Sequence, residues 1–224
     1  MPNKWITFDC FGTLVDWRTG FANILQPVAG ERTDDLINGY HEHERRLEQE
    51  RPHRLYSDVL ETGLAQAAAK IGLALTDGQA KALSAGWGTQ PVFADVEPAL
   101  SALRAAGWRL GVLTNCDVAL FDLTQCSFRQ PFDLVVTAEQ VKDYKPSLAH
   151  FHYFWRASGV EFQDWIHVAC SWYHDIQPSR EMGVQRIWVD RDRTGDDATA
   201  ATLRLEDART LPEAIERVAR EHTL

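Results

Sequence analysis

Two regimes of hydrophobic patterning divide this chain. Residues 16 to 88 show the helical period alone, whereas from about Pro91 onward short apolar runs alternate with helix-period segments. Ahead of both, Trp5 to Phe8 form an apolar run that reads as a buried strand. That strand delivers Asp9 at its C-terminal end, and Gly12 marks the turn that follows. In the first regime, Thr33 and Asp34 can cap a helix running through Leu36, Tyr40 and Leu47, which Pro52 ends. Tyr56, Leu60, Leu64, Ala67, Ala68 and Ile71 recur at helical spacing until Gly72 stops the run. A shorter helix follows Thr76.

The second regime predicts strands over 109–113, 133–136, 166–170 and 187–189. Helices are expected over 96–106, 118–126, 148–157, 176–182 and 211–220. The polar stretch 192–201 reads as a surface loop. Strands alternating with helices argue for a parallel sheet between helical layers. The expected architecture is therefore α/β, a Rossmann-like three-layer parallel sheet core with an inserted helical cap domain. The core takes residues 1–15 and 89–224, and the cap takes 16–88.

Composition narrows the choice of partners. A net charge of -9 with no offsetting basic stripe argues against nucleic acid. An anionic substrate would then have to be drawn in by local cations. No apolar stretch reaches membrane-spanning length, and the first strand begins too early to leave room for a signal peptide. A cytoplasmic protein is expected, with a homodimer left open. Cys10, Cys116, Cys126 and Cys170 lack metal-ligand spacing and read as small, buried, reduced residues. Trp5, Trp108, Trp165 and Trp188 adjoin predicted strands and read as packing, while Trp17 and Trp172 fall near the candidate site.

The chemistry-bearing residues cluster at strand ends, where open α/β sheets bind ligands. Asp-Cys-Phe-Gly-Thr spans Asp9 to Thr13; Thr114-Asn115 ends the second strand; Lys145-Pro146 precedes a helix; Ser171 and Asp175 follow the strand over 166–170. Four such segments in this order resemble the haloacid dehalogenase superfamily. Phe11, where a phosphatase of that group would carry a second Asp as general acid/base, moves the resemblance towards the L-2-haloacid dehalogenases (type II).

That resemblance implies roles. Asp9 is the nucleophile, Lys145 keeps it ionised, and Asp175 helps hold Lys145 and positions or activates the hydrolytic water. Ser171 hydrogen-bonds Lys145 or substrate. Thr13, Thr114 and Asn115 offer donors for a substrate carboxylate, although Thr114 could simply cap the next helix. Phe11, Trp17 and Trp172 supply a dry wall. In the family an Arg on an early cap helix cradles the leaving halide; here His41 holds that position, with His43, Arg45, Arg46 and Arg54 nearby. Such a charge run is ordinarily a solvated helix face. Trp172 stands where an Asn is expected, and His174 either replaces its polar function or packs.

The implied activity is hydrolytic dehalogenation of a small 2-haloacid through an aspartyl ester on Asp9, with no metal and no organic cofactor. The alternatives are a Mg²⁺-dependent phosphate or phosphonate hydrolase of the same superfamily and a non-catalytic binding protein that keeps the fold.

Overall fold

The computed structural model describes residues 3–221. Strand β1 covers Trp5–Phe8, and helices α1 (Trp17–Ala29), α2 (Thr33–Glu48), α3 (Tyr56–Lys70), α4 (Asp77–Ala80) and α5 (Ala82–Ala85) follow. The chain then alternates through α6 (Val96–Ala105), β2 (Arg109–Thr114), α7 (Val118–Gln125), β3 (Leu134–Thr137), α8 (Ala138–Val141) and α9 (Ala149–Ser158). It closes with β4 (Trp165–Ala169), a π-helical turn (Trp172–Ile176), α10 (Gln177–Glu181), β5 (Gln185–Val189), β6 (Leu203–Leu205) and α11 (Leu211–Glu221).

The six strands form one parallel sheet in the order β3-β2-β1-β4-β5-β6. Helices cover both faces, so the inner strands are buried on both sides rather than on alternate residues. Every residue of β1 and β4 is buried. Ile6, Phe8, Leu110 and Val112 pack with Leu100, Leu103 and Ile215 on one face. Trp5, Leu113, Val136 and Trp165 pack with Phe151 and Phe154 on the other. This strand order has its topological switch between β1 and β4, which places the crevice at their C-terminal ends.

The chain leaves and re-enters this sheet along paired segments. Val15 bridges Val92 antiparallel, Asp16 N donates to Pro91 O at 2.8 Å, and Phe93 N donates to Leu14 O at 3.0 Å. Between these segments lie α1 to α5 and no strand.

Helix starts show how local signals are used. The Asp16 side chain caps α1 by accepting from Thr19 N. Thr76 and Gln79 form a reciprocal capping box on α4. Thr33, expected as a cap, is instead the first residue of α2, and its hydroxyl donates to Gly30 O at 2.7 Å. The 3-10 turn over Gly30–Arg32 runs straight into α2, so no separate cap is needed. No side chain of its own segment caps α3; Asp117, 60 residues away, accepts from Tyr56 N at 2.6 Å and Ser57 N at 2.8 Å.

Three elements depart from the sequence reading, the first being the four-residue helix α8, where no helix was expected. β6 lies just beyond the stretch taken as a surface loop; it is a three-residue edge strand with one partner, too short to show a period. The helix expected from Ile176 is preceded by a π turn that contains Asp175.

Candidate active site

Asp9 extends β1 by donating its backbone N–H to Val168 O at 3.0 Å. Its carboxylate therefore emerges at the switch point, 8% exposed. Gly12 makes the turn possible: its φ is +91°, and a Cβ there would sit 2.7 Å from Cys170 Sγ. A side chain at that position would be both strained and blocked.

Three protons of Lys145 meet three acceptors. Nζ donates to Asp9 Oδ1 at 2.9 Å, Leu113 O at 2.9 Å and Asp175 Oδ1 at 2.6 Å. The ammonium is fully buried, which on its own would lower its pKa; Asp175 and then Asp9 outweigh that and hold it above the ordinary lysine value. Asp175 is also fully buried. Burial raises its carboxyl, but Lys145 and His167 overcome the penalty and bring it down to about 2. A fixed positive charge thus stands between two carboxylates.

Thr13 completes the setting of Asp9. Its hydroxyl donates to Asp9 Oδ2 at 2.7 Å and accepts from Cys170 N at 2.8 Å. Cys170 Sγ lies 3.9 Å from Asp9 Oδ2, and burial, then Asp9, push its thiol upward. Cys170 touches the candidate nucleophile, a role its reading as inert packing did not foresee. Its position at the end of β4, beside Ser171, was the available signal. Cys10 and Cys116 are buried as expected, whereas Cys126 is exposed.

Other expected site residues are placed differently. Asn115 Oδ1 accepts from Lys145 N at 2.7 Å and its amide donates to Lys145 O at 3.1 Å. It grips the lysine backbone with its carbonyl and one amide N–H. Thr114 is fully buried and donates to Cys116 Sγ at 3.4 Å, facing inward. Ser171 accepts from His174 N at 3.1 Å and lies 2.9 Å from His174 Nδ1, so it closes the π turn instead of reaching Lys145. Trp172 donates to Asp197 O at 3.1 Å and packs near Trp188 and Ile176, away from the Phe11 wall. His174 lines a cavity at the seam, and burial lowers its pKa.

The dry wall keeps Phe11 and adds Trp87. Phe11 and Trp87 lie 4.6 Å apart, and Trp87 also meets Phe21 and Tyr56. The Trp87 indole N–H is buried without a partner. Trp17 Nε1 approaches the Gly12 turn, and its ring meets His41 at 4.6 Å. His41 Nδ1 pairs with Glu44 at 2.9 Å, leaving Nε2 buried and unpartnered. Glu44 also accepts from Tyr40 at 3.1 Å and Tyr56 at 2.5 Å. Burial works against its charge, but His41 and the two phenols hold its pKa below the ordinary glutamate value. Arg46 and Arg54 are engaged with Glu50, and Arg45 lies over Tyr173.

The cavity between α2 and the core has about 50 Å³ and is lined by Arg45, Glu48, Tyr144, Lys145 and His174 among others. That volume holds a few waters. A larger cavity of about 720 Å³ lies elsewhere, lined by Phe93, Pro98, Ala102 and Arg209, and does not include Asp9 or Lys145. Among the described residues, no three His, Cys, Asp or Glu side chains stand together as a metal-ligand set. No helix among them is long and apolar enough to cross a membrane.

A family model described as "haloacid dehalogenase-like hydrolase" matches residues 3–183. The chain belongs to that family. This haloacid dehalogenase-like hydrolase superposes on an L-2-haloacid dehalogenase with a TM-score of 0.87, at 21% identity, covering 96% of this chain and 100% of that one. A second match is the L-2-haloacid dehalogenase of Xanthobacter autotrophicus with chloropropionic acid covalently bound, at TM-score 0.82 and 13% identity, covering 96% and 99%. At such identities the likeness establishes the fold. By sequence, this hydrolase is 29% identical over 101 residues to "Haloacid dehalogenase-like hydrolase domain-containing protein 3" of Danio rerio, covering 45% of this chain and 42% of that one. The protein of the same name from Xenopus laevis is 33% identical over 92 residues, covering 41% and 38%. The chain thus spans about two fifths of the length of the curated relatives it matches.

Proposed function

We propose that this hydrolase dehalogenates small 2-haloacids through an ester on Asp9. The observation that carries the reading is the apolar wall of Phe11 and Trp87 beside a carboxylate gripped by Lys145 and Thr13. An alkoxide leaving group would need a proton donor at position 11, and a halide does not.

In the first step an oxygen of Asp9 bonds C2 of the haloacid from the side opposite the halogen. The carbon–halogen bond breaks, and halide departs with the electron pair. Configuration at C2 inverts. Water then attacks the carbonyl carbon of the ester, releasing a 2-hydroxy acid without touching C2 again. Asp175 is the base for that water. His41, with Nε2 free, receives the halide, and Lys145 and the backbone N–H groups at the strand ends supply the pull on the substrate carboxylate. The covalent chloropropionic acid in the Xanthobacter protein is the kind of adduct expected here. The helical block over 16–88 serves as the lid, and no cofactor enters the scheme.

The competing reading, a Mg²⁺-dependent phosphate or phosphonate hydrolase, has one observation in its favour: Asp175 Oδ2 is buried with no partner, and a cation would satisfy it. One experiment separates the two. Halide release is measured from chloro-, bromo- and fluoroacetate and 2-chloropropionate, and phosphate release from an ester panel, each with Mg²⁺ and with a chelator. Chelator-insensitive halide release, with solvent heavy oxygen entering Asp9 over multiple turnovers, is expected. Phosphate release that requires Mg²⁺, or label confined to product, overturns the proposal.

A further inference from the structure

The side chain most deeply built into this site, and assigned no part in it so far, is His167. It lies on β4, fully buried, with its ring 5.0 Å from that of Phe151. Its Nε2 is 3.1 Å from Asp175 Oδ1, and its Nδ1 is 2.9 Å from Thr7 Oγ1. Trp165 Nε1, an obligate donor, gives its proton to the same Thr7 oxygen at 2.8 Å.

These contacts favour one tautomer. An ionised Asp175 can only accept, so Nε2 must carry a proton. Thr7 accepts from the indole and keeps its own hydroxyl proton to give to Nδ1. The donors run in one direction, from Trp165 to Thr7 to His167 to Asp175. None of the four side chains is reached by solvent to more than a trace.

The consequence falls on the two oxygens of Asp175. Oδ1 takes both donors, Lys145 and His167. Oδ2 takes none, yet it is buried at the site. We infer that His167 is a positioning residue that locks Asp175 with Oδ1 saturated and Oδ2 free to take the proton of the hydrolytic water. The inference rests on the ester reading above.

The step balances as follows. The water oxygen bonds the Asp9 carbonyl carbon, and one water proton passes to Asp175 Oδ2. The tetrahedral species collapses, breaking the bond to the product oxygen, which takes the proton from Oδ2 and leaves as the 2-hydroxyl. The second water proton leaves Asp9 for solvent, restoring its carboxylate. A rotated Asp175 would present an oxygen already engaged with Lys145, and this proton transfer would slow while the first, carbon-attacking step would not.

Two measurements test this. Imidazole ¹⁵N NMR of the resting full-length protein reads the tautomer directly; a neutral ring with the proton on Nε2 is expected for His167, and Thr7→Val should erode that preference. Rapid-quench intact mass spectrometry during bromoacetate turnover reads the ester. His167→Phe should slow ester hydrolysis by roughly 10²-fold, the lower end of what a positioned base contributes, so that the adduct accumulates. His167→Gln, whose amide N–H replaces Nε2–H, should restore most of the rate. A ring protonated on Nδ1 alone overturns the inference. So does turnover by His167→Phe or Thr7→Val without adduct accumulation while the wild type forms an ester. If the tautomer is as expected but the wild type forms no ester, the dehalogenation reading fails and the positioning of Asp175 stands.

Discussion

Replacing Lys145 with methionine keeps a long, flexible side chain in the buried slot and removes the ammonium. Three acceptors then lose their donor: Asp9 Oδ1, Asp175 Oδ1 and Leu113 O. Asp175 is held at about 2 against an ordinary 3.8, which corresponds to about 2 kcal/mol of stabilisation. Breaking one partner from a buried ion pair costs about 3–5 kcal/mol in total. For a chain of this size each kcal/mol moves Tm by about 2–4 °C, so Lys145→Met should melt about 6–20 °C lower at pH 7. The pH dependence carries the sharper test. Asp175 has a folded pKa below its unfolded one, so its stabilisation is present above 3.8 and lost as pH falls through about 2. In the variant, burial dominates and the carboxyl rises, so protonation relieves the unpaired charge. The Tm gap between the two proteins should therefore shrink on going from pH 7 to pH 3. Differential scanning calorimetry at both pH values, with halide release at pH 7, reads the outcome. An equal gap at both pH values would reduce Lys145 to packing, and activity within tenfold of wild type would refute its role in holding Asp9.

Asp9→Asn should lose all halide release while melting normally, checked by ion chromatography and calorimetry together. Gly12→Ala should cost roughly 1–3 kcal/mol by denaturant titration, because φ is +91° and the new methyl meets Cys170 Sγ; Gly72→Ala, at φ +68° with nothing within 4 Å, should cost less. Asp117→Ala should destabilise by about 1 kcal/mol through the lost cap on α3, seen as a lower urea midpoint. His41→Phe keeps the ring against Trp17 and Phe21 but removes the free nitrogen, and should lower kcat for halide release about 10²-fold; His41→Arg should retain activity. An unchanged kcat in His41→Phe would move the leaving-group role to Arg45.

The sequence carried the sheet because both faces of β1 and β4 are covered, which leaves short runs apolar but for Thr7 and His167. It grouped Asp9, Lys145 and Asp175 because four segments in order resemble one family, although Lys145 lies beyond α8 and not at a strand end. It did not carry what those residues touch. Asn115 and Ser171 are polar and well placed in the chain, but whether an amide meets substrate or a backbone depends on the loop beside it. Trp172 turns to a backbone carbonyl 25 residues away, at Asp197, which no periodicity announces. His167 was invisible for the opposite reason: a lone histidine in an apolar strand reads as packing until Thr7 and Asp175 appear at its two nitrogens. The cap on α3 was hidden because its residue is 60 positions away.

Asp117 also joins two distant parts of the chain. It sits two residues after Asn115, which holds the Lys145 backbone, and it ties the start of α3 to the loop after β2. One carboxylate therefore clasps the start of α3 to the loop that leaves the sheet beside Asn115. Releasing the clasp gives up a helix cap worth about 1 kcal/mol. At that cost alone the released form would be populated at roughly one molecule in five. Any substrate that must enter with the clasp released binds with an apparent affinity weakened by that same factor, however well it fits once inside. For such a substrate, loosening Asp117 would trade stability for capture, and the tightest-melting variant would be the slowest to fill.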